Sequence, residues 1–470
     1  ACTFQSAPMA GYVPGSDVRE HSEIDLDQAA MEAALKFYDF AGATDKYSNG
    51  GNSVSKGKFR TLQGFSTGAQ GKMYDGCPGC PYKHYEQFYD YYGDFDYADK
   101  WVSAALAGTD MSFTSGKHGP NNFAALGDAA RIEAVKKGSA YMNVWMYVIR
   151  EFEDAIDDCT SCTSDCNTHS TNSGSVHAWD EGVAFYTGSL EGTAYGGSSA
   201  GKLLYRLAEK RCKNFGTCAL GASGTSQVNS ELFELFASGR NLLQQGKCSA
   251  VRPVINQIVS LMTVPLVQGA LRYAYKNSGA AQGASAKNAA EGATFAAAVL
   301  PLVHACNTKS ATMVSDNLKF GLYPDGATVD STRGYSDFAA VKSAFEDVYA
   351  CLGITCAHVG GLMNGATPAA PYDGAAACTF QSATMAGYVP GSDVTEHNKI
   401  DLDQKAMEAA LGASDYVLAK THYTDGGNSA KSGTAFRTIQ GFSTGAEGKM
   451  YSGCPGCPYK HYEQFYDYYG

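Results

Sequence analysis

Apolar positions recur three or four residues apart along most of this chain. The signal is strongest over Asn122–Asp158, where Ile132, Val135, Tyr141, Val144, Tyr147, Val148 and Phe152 share one helical stripe. The same period predicts helices over Tyr97–Ala107, Val176–Leu190, Gly201–Cys212, Ser230–Gln245, Ala250–Lys276, Ala286–Cys306 and Tyr335–Cys351. A further helix ends near Phe40, with Asp25 or Asp27 as its cap, because a short acidic side chain satisfies free N–H groups. Pro265 should kink or divide its helix, since it removes a backbone donor. Ala1–Val18 reads as extended, Tyr47–Gly57 as a loop, Phe59–Tyr74 as a short hairpin and Cys159–Ser175 as a cysteine-stapled loop. The predicted fold is mainly α: a helical, disulfide-stapled domain with irregular Gly/Tyr-rich loops.

That domain recurs. Residues 1–35 and 377–411 differ at five positions, and the match resumes from Phe59 and Phe436 after a diverged stretch with one inserted residue. A period this long marks a whole duplicated domain rather than a small-repeat solenoid. The expected organisation is a first unit over 1–364, made of a repeated segment (1–93) and a helical domain (94–364). A Pro/Gly/Ala linker follows at 365–376, then a partial second unit over 377–470. The second copy halts where the first continues as DFDYADKWVSAAL, so the sequence is expected to be a window onto a longer array.

Charge and cysteine content set the compartment. The net charge of −11 argues against a nucleic-acid partner, which needs clustered Lys and Arg. The apolar run Thr294–Cys306 is too short to span a bilayer, so no membrane span is expected. The first unit holds Cys2, Cys77, Cys80, Cys159, Cys162, Cys166, Cys212, Cys218, Cys248, Cys306, Cys351 and Cys356; Cys378, Cys454 and Cys457 bring the total to 15. The even set in the full unit points to disulfides in an oxidising compartment, extracellular or periplasmic, with zinc as the weaker reading of Cys77-Pro-Gly-Cys80 and of Cys159-x2-Cys162-x3-Cys166. There is no N-x-S/T sequon, so any glycan would be O-linked or unconventional.

No nucleophile elbow, P-loop or H-E-x-x-H motif is present, and no enzyme is expected. Three constellations carry candidate chemistry. His177, Asp180 and Glu181 fall at i, i+3 and i+4 of a helix, a set able to hold iron or another divalent metal; the plainer reading is an acidic first turn. Glu151, Glu153, Asp154, Asp157 and Asp158 crowd a helix C-terminus, where a cation, Arg150 or Lys136 should compensate them, unless the face is simply solvated. His304, with Glu291 upstream, reads as a core histidine. The stretch Tyr82, Tyr85, Phe88, Tyr89, Tyr91 and Tyr92, repeated as Tyr459, Tyr462, Phe465 and Tyr466, suits either an interface with copies of the same chain or a Tyr-rich core edge.

The phrases HAWDEGVAFYTGSLEG, GKLLYRLAEKRCKNFGTC, MTVPLVQGALRYAYK and EGATFAAAVLPLVHACN resemble the iron-assimilatory, low-iron-inducible periplasmic proteins of algae, over about Asn122–Cys356. The resemblance implies a secreted, helical, non-enzymatic protein linked to iron uptake, with candidate ligands at His177, Asp180 and Glu181. Tandem units and recurring aromatic surfaces favour a self-assembling filament subunit, because a heterologous contact that does not close makes a fibre. The alternative is a cell-surface iron binder.

Overall fold

The computed structural model describes residues 7–162, 174–218, 225–278, 285–320, 337–363, 394–432 and 435–469. The predicted linker lies outside them, as do Cys2, Cys166 and Cys378. The chain divides into two compact units, Ala1–Thr379 and Phe380–Gly470. Both are mainly helical, and the strands are two- or three-residue pairs.

Unit 1 opens with α1 (Arg19–Ser22), α2 (Ile24–Lys36) and α3 (Phe40–Asn49), then the hairpin β1 (Val54–Ser55) and β2 (Lys58–Phe59). The hairpin precedes the predicted position, and α4 (Leu62–Thr67) and α5 (Ala69–Met73) occupy Phe59–Tyr74 instead. Asp25 and Asp27 are not caps. They sit buried inside the first turn of α2, Asp25 accepting from Ser189 Oγ (2.6 Å) and Leu190 N (2.7 Å), Asp27 from Asn52 Nδ2 (2.6 Å). Next come α6 (Lys83–Tyr92), α7 (Tyr97–Ala107), the pair β3 (Asp110–Met111) and β4 (Asn121–Asn122), and α8 (Asp128–Lys137). The long stripe predicted over Asn122–Asp158 is interrupted: a wholly buried π-helical stretch, Gly138–Val144, separates α8 from α9 (Trp145–Ser161). A π turn inserts an extra residue into the helical period and so re-aims the side chains beyond it.

α10 (Ser175–Thr187) packs against α9. Gly182 permits the approach, since a Cβ there would lie 2.7 Å from Phe152 Cε1. α11 (Leu204–Phe215), α12 (Gln227–Gln244), α13 (Cys248–Lys276) and α14 (Ala286–Cys306) build the rest of the core, closed by α15 (Thr308–Leu318), α16 (Phe338–Glu346), α17 (Tyr349–Leu352) and α18 (Cys356–Val359). α13 runs through Pro265 undivided. α13 and α14 are long and apolar enough to cross a membrane, but 83% of the most apolar window of each is buried by the protein itself, as in core helices.

The repeated segment is an integral layer of unit 1. Tyr85, Phe88 and Tyr92 are at most 1% exposed; Phe88 packs on Tyr97 and Trp145, and Tyr92 Oη donates to Ala297 O of α14 at 2.6 Å. Tyr82 and Tyr91 are also buried, and Tyr89 stacks on Phe95. The interface expected at this stretch is therefore core in unit 1. Cys77–Cys80, Cys159–Cys248, Cys212–Cys218 and Cys306–Cys351 pair as disulfides, and Cys162 and Cys356 are disulfide-bonded too.

Unit 2 repeats the opening: α19 (Thr395–Asn398), α20 (Ile400–Gly412), α21 (Tyr416–Thr424), β5 (Ala430–Ser432) and β6 (Ala435–Phe436), α22 (Ile439–Thr444), a π-helical turn Glu447–Tyr451 and α23 (Lys460–Tyr469), with a Cys454–Cys457 disulfide.

Candidate metal centre

Spacing on α10 decides which side chains can meet. Residues four apart lie nearly above one another on a helix, whereas neighbours diverge by about 100°. His177 and Glu181 accordingly share a face, and Asp180 leaves it. The Asp180 carboxylate is fully buried, accepting from Tyr12 Oη (2.6 Å), Ser16 N (2.8 Å) and Ser16 Oγ (2.9 Å). Burial pushes Asp180 up to about 6, while the bonds from Tyr12 and Ser16 oppose the rise, so it remains a carboxylate at neutral pH. Its work is to anchor the N-terminal segment to α10.

The place expected for Asp180 is taken by His21, on α1. His21 Nε2 and His177 Nε2 both reach Glu181 Oε1, at 2.9 and 3.0 Å, and Arg60 Nη2 holds Glu181 Oε2 at 3.2 Å. The imidazole rings meet edge to face at 5.2 Å between centroids. One donor atom from each of His21, His177 and Glu181 falls within 4.8 Å of the others, and both histidines are at most 9% exposed. Burial alone would raise the Glu181 carboxyl; bonds from His177 and His21 and the charges of His21 and Arg60 reverse this and hold it well below the usual carboxylate range.

Ser16 fixes the orientation of His177. Its single hydroxyl hydrogen goes to Asp180, so at 3.2 Å its oxygen accepts from His177 Nδ1. That leaves His177 Nε2 as the inward-facing nitrogen, the outer-shell arrangement typical of metal-binding histidines. His21 Nδ1 is buried without a partner among the described residues.

These groups open on a cavity of about 630 Å³. Its other wall is α9, from which Tyr147, Glu151, Asp154 and Asp158 face inward, with Lys72 and Arg60 beside them. Arg150 pairs with Glu151 (2.6 Å) and Asp154 (3.0 Å), as its position predicted, whereas Lys136 turns to Glu133 (3.3 Å). Burial, with the neighbouring charges of Glu151 and Asp158, pushes Asp154 up to about 7 against the pull of Arg150. Glu153 and Asp157 leave this face: Glu153 pairs with Arg252 at 2.6 Å, and Asp157 accepts from Gly79 N and Tyr82 Oη. The acidic run is thus largely a buried, paired set rather than a solvated face. His304 is not a core residue; it lies partly exposed, 3.3 Å from Lys117 Nζ, while Glu291 lies 3.8 Å from Lys137.

Comparison with known families gives two matches to one family, described as low iron-inducible periplasmic protein, at residues 1–373 and 369–452. This chain belongs to the low iron-inducible periplasmic protein family. Its location is accordingly extracytoplasmic, in agreement with the disulfides. No curated protein and no solved structure matches the chain. The two family matches differ in what they contain. The first spans all of His21, Arg60, His177 and Glu181; the second includes the copies His397 and Arg437 but no counterpart of α10. In unit 2, Arg437 Nη2 instead sits 2.8 Å from His397 Nε2. Sequence reasoning missed His21; its retention as His397 (VREHS, VTEHN) was a weak signal, since Val18 and Glu20 are retained with it.

Proposed function

We propose that this protein is a non-enzymatic iron-capture protein of the extracytoplasmic space, and that unit 1 holds the iron between His21, His177 and Glu181. The observation that carries the reading is the convergence of two imidazole Nε2 atoms on one carboxylate oxygen, at 2.9 and 3.0 Å, at the wall of a polar cavity. Two histidines and one carboxylate on one side, with open positions opposite, form a donor set suited to iron. Carboxylates at Asp17, Glu20, Asp154 and Asp158 also line the cavity and favour cation entry. Family membership supports iron over other metals, and iron assimilation over the filament reading; the aromatic stretch that suggested a filament is core in unit 1. The test is equilibrium iron binding by the full chain and by a His177→Ala, Glu181→Ala double variant. Loss of the bound iron in the variant supports the assignment, and an unchanged stoichiometry removes it.

A further inference from the structure

Glu181 offers one oxygen to the two histidines and gives the other to a cation. Its Oε1 meets His21 Nε2 and His177 Nε2, while its Oε2 is held by Arg60 Nη2 at 3.2 Å. Among the described residues, Arg60 is the only arginine or lysine ion-paired with Glu181. Two other cations of the cavity are turned elsewhere, Arg150 to Glu151 and Asp154, and Lys72 to the Tyr147 hydroxyl.

The β1–β2 hairpin aims this guanidinium. Arg60 N donates to Ser53 O at 2.8 Å and Arg60 Nη1 to Val54 O at 2.9 Å, so the side chain is braced on its own hairpin. With Nη1 committed to that carbonyl, the fork cannot turn both nitrogens onto the carboxylate, and Glu181 receives a single contact. The second copy separates cause from consequence. Arg437 N donates to Ser429 O at 2.7 Å and Arg437 Nη1 to Ala430 O, the same two anchors, although unit 2 has no counterpart of Glu181. Its Nη2 lies 2.8 Å from Nε2 of His397, the copy of His21. The hairpin therefore carries its guanidinium to the ligand cluster with or without the carboxylate. Glu181 meets a charge that is already in place.

We infer that Arg60 is a positioning residue of the iron site: it occupies Glu181 Oε2, so that the carboxylate ligates through Oε1 alone, and it sets a fixed positive charge beside the bound ion. This rests on the iron-capture reading and adds to it a preference between oxidation states. Arginine stays protonated throughout the working pH range. Its repulsion grows with the charge of the ion, so it disfavours ferric iron more than ferrous. The side chains of Arg60 and Glu181 are only 14% and 12% exposed, so solvent ions screen the effect little. Ligation by one oxygen also leaves open a position that chelation by both would fill.

The test measures both affinities on the full chain, with ferric nitrilotriacetate in air and ferrous sulfate under argon, and reads bound iron by elemental analysis after ultrafiltration. Arg60→Gln and Arg60→Met remove the charge, Arg60→Lys keeps it, and Arg437→Gln and Glu181→Gln are the controls. The ratio of ferric to ferrous affinity should rise by roughly tenfold or more in the two charge-removing variants, equivalent to a fall of about 59 mV in the one-electron potential of the bound iron. Arg60→Lys should return the ratio to near the wild-type value, and Arg437→Gln should leave it unchanged. Ferric and ferrous affinities that fall together would make Arg60 a structural support and overturn the assignment. So would Arg60→Lys behaving like Arg60→Gln, or failure of both charge-removing variants to fold. In each of these cases iron capture stands if the wild type binds iron and Glu181→Gln abolishes it. A folded wild type that binds neither form of iron would overturn both.

Discussion

The ten residues of α6 and of α23 are the same, KHYEQFYDYY, yet they meet different fates. In unit 1 the helix buries Tyr85, Phe88, Tyr91 and Tyr92 against α7, α9 and α14; in unit 2, Phe465 is 64% exposed and no residue of α23 is buried. The metal centre repeats the lesson. His21 and Arg60 close on Glu181 in unit 1, whereas their copies His397 and Arg437 face each other. Local sequence sets the helices and the turns, and both copies have them. Burial, and the α9 and α10 half of the site, come from α7 to α18, for which residues 380–470 hold no copy.

The largest contrast should come from the paired aromatics. Phe88→Ala should cost about 3–5 kcal/mol in denaturant unfolding, as for other buried aromatics, because it opens a cavity between Tyr97 and Trp145. Phe465→Ala, the same change in the second copy, should stay within about 0.5 kcal/mol. Equal costs would mean that α23 is covered after all. Next in size, removing Cys159–Cys248, which ties together points 89 residues apart, should cost up to about 4 kcal/mol. Removing Cys454–Cys457, separated by three, should cost far less, since little loop entropy is at stake.

The site was legible in the sequence only where its partners are near one another in the chain. His177 and Glu181 were legible because four residues is a helical neighbour distance. Asp180 was grouped with them by its i+3 spacing to His177, which ignores the turn between adjacent residues 180 and 181. His21 lies on a four-residue helix far from α10 in sequence, and no periodicity links them. The stripe through Tyr147 and Phe152 was legible, but the π stretch before it was not, since Tyr141 and Val144 keep a helical spacing across it. Nothing within the tyrosine stretch itself could choose between core and interface; only its surroundings do.

Two smaller effects separate the copies further. His21→Ala should weaken iron binding by at least the roughly 10–100-fold seen for outer-shell changes, while His397→Ala should leave it unchanged in the same titration. The last concerns Asp25, pushed up to about 6 by burial against the bonds from Ser189 and Leu190, residues for which the second copy has no counterpart. A raised carboxyl stabilises the fold fully below its ordinary value and loses that contribution as pH rises through about 6. Asp25→Asn should therefore flatten the decline in unfolding free energy between about pH 4 and pH 6.5, by at most about 3 kcal/mol.

The most direct test of the account is the iron content of the purified full chain at saturation, by elemental analysis against protein concentration. One iron per chain, lost in His177→Ala, Glu181→Ala, is the predicted result, because only unit 1 brings His21, His177 and Glu181 together. Two irons per chain, or one that survives the double substitution, would contradict it.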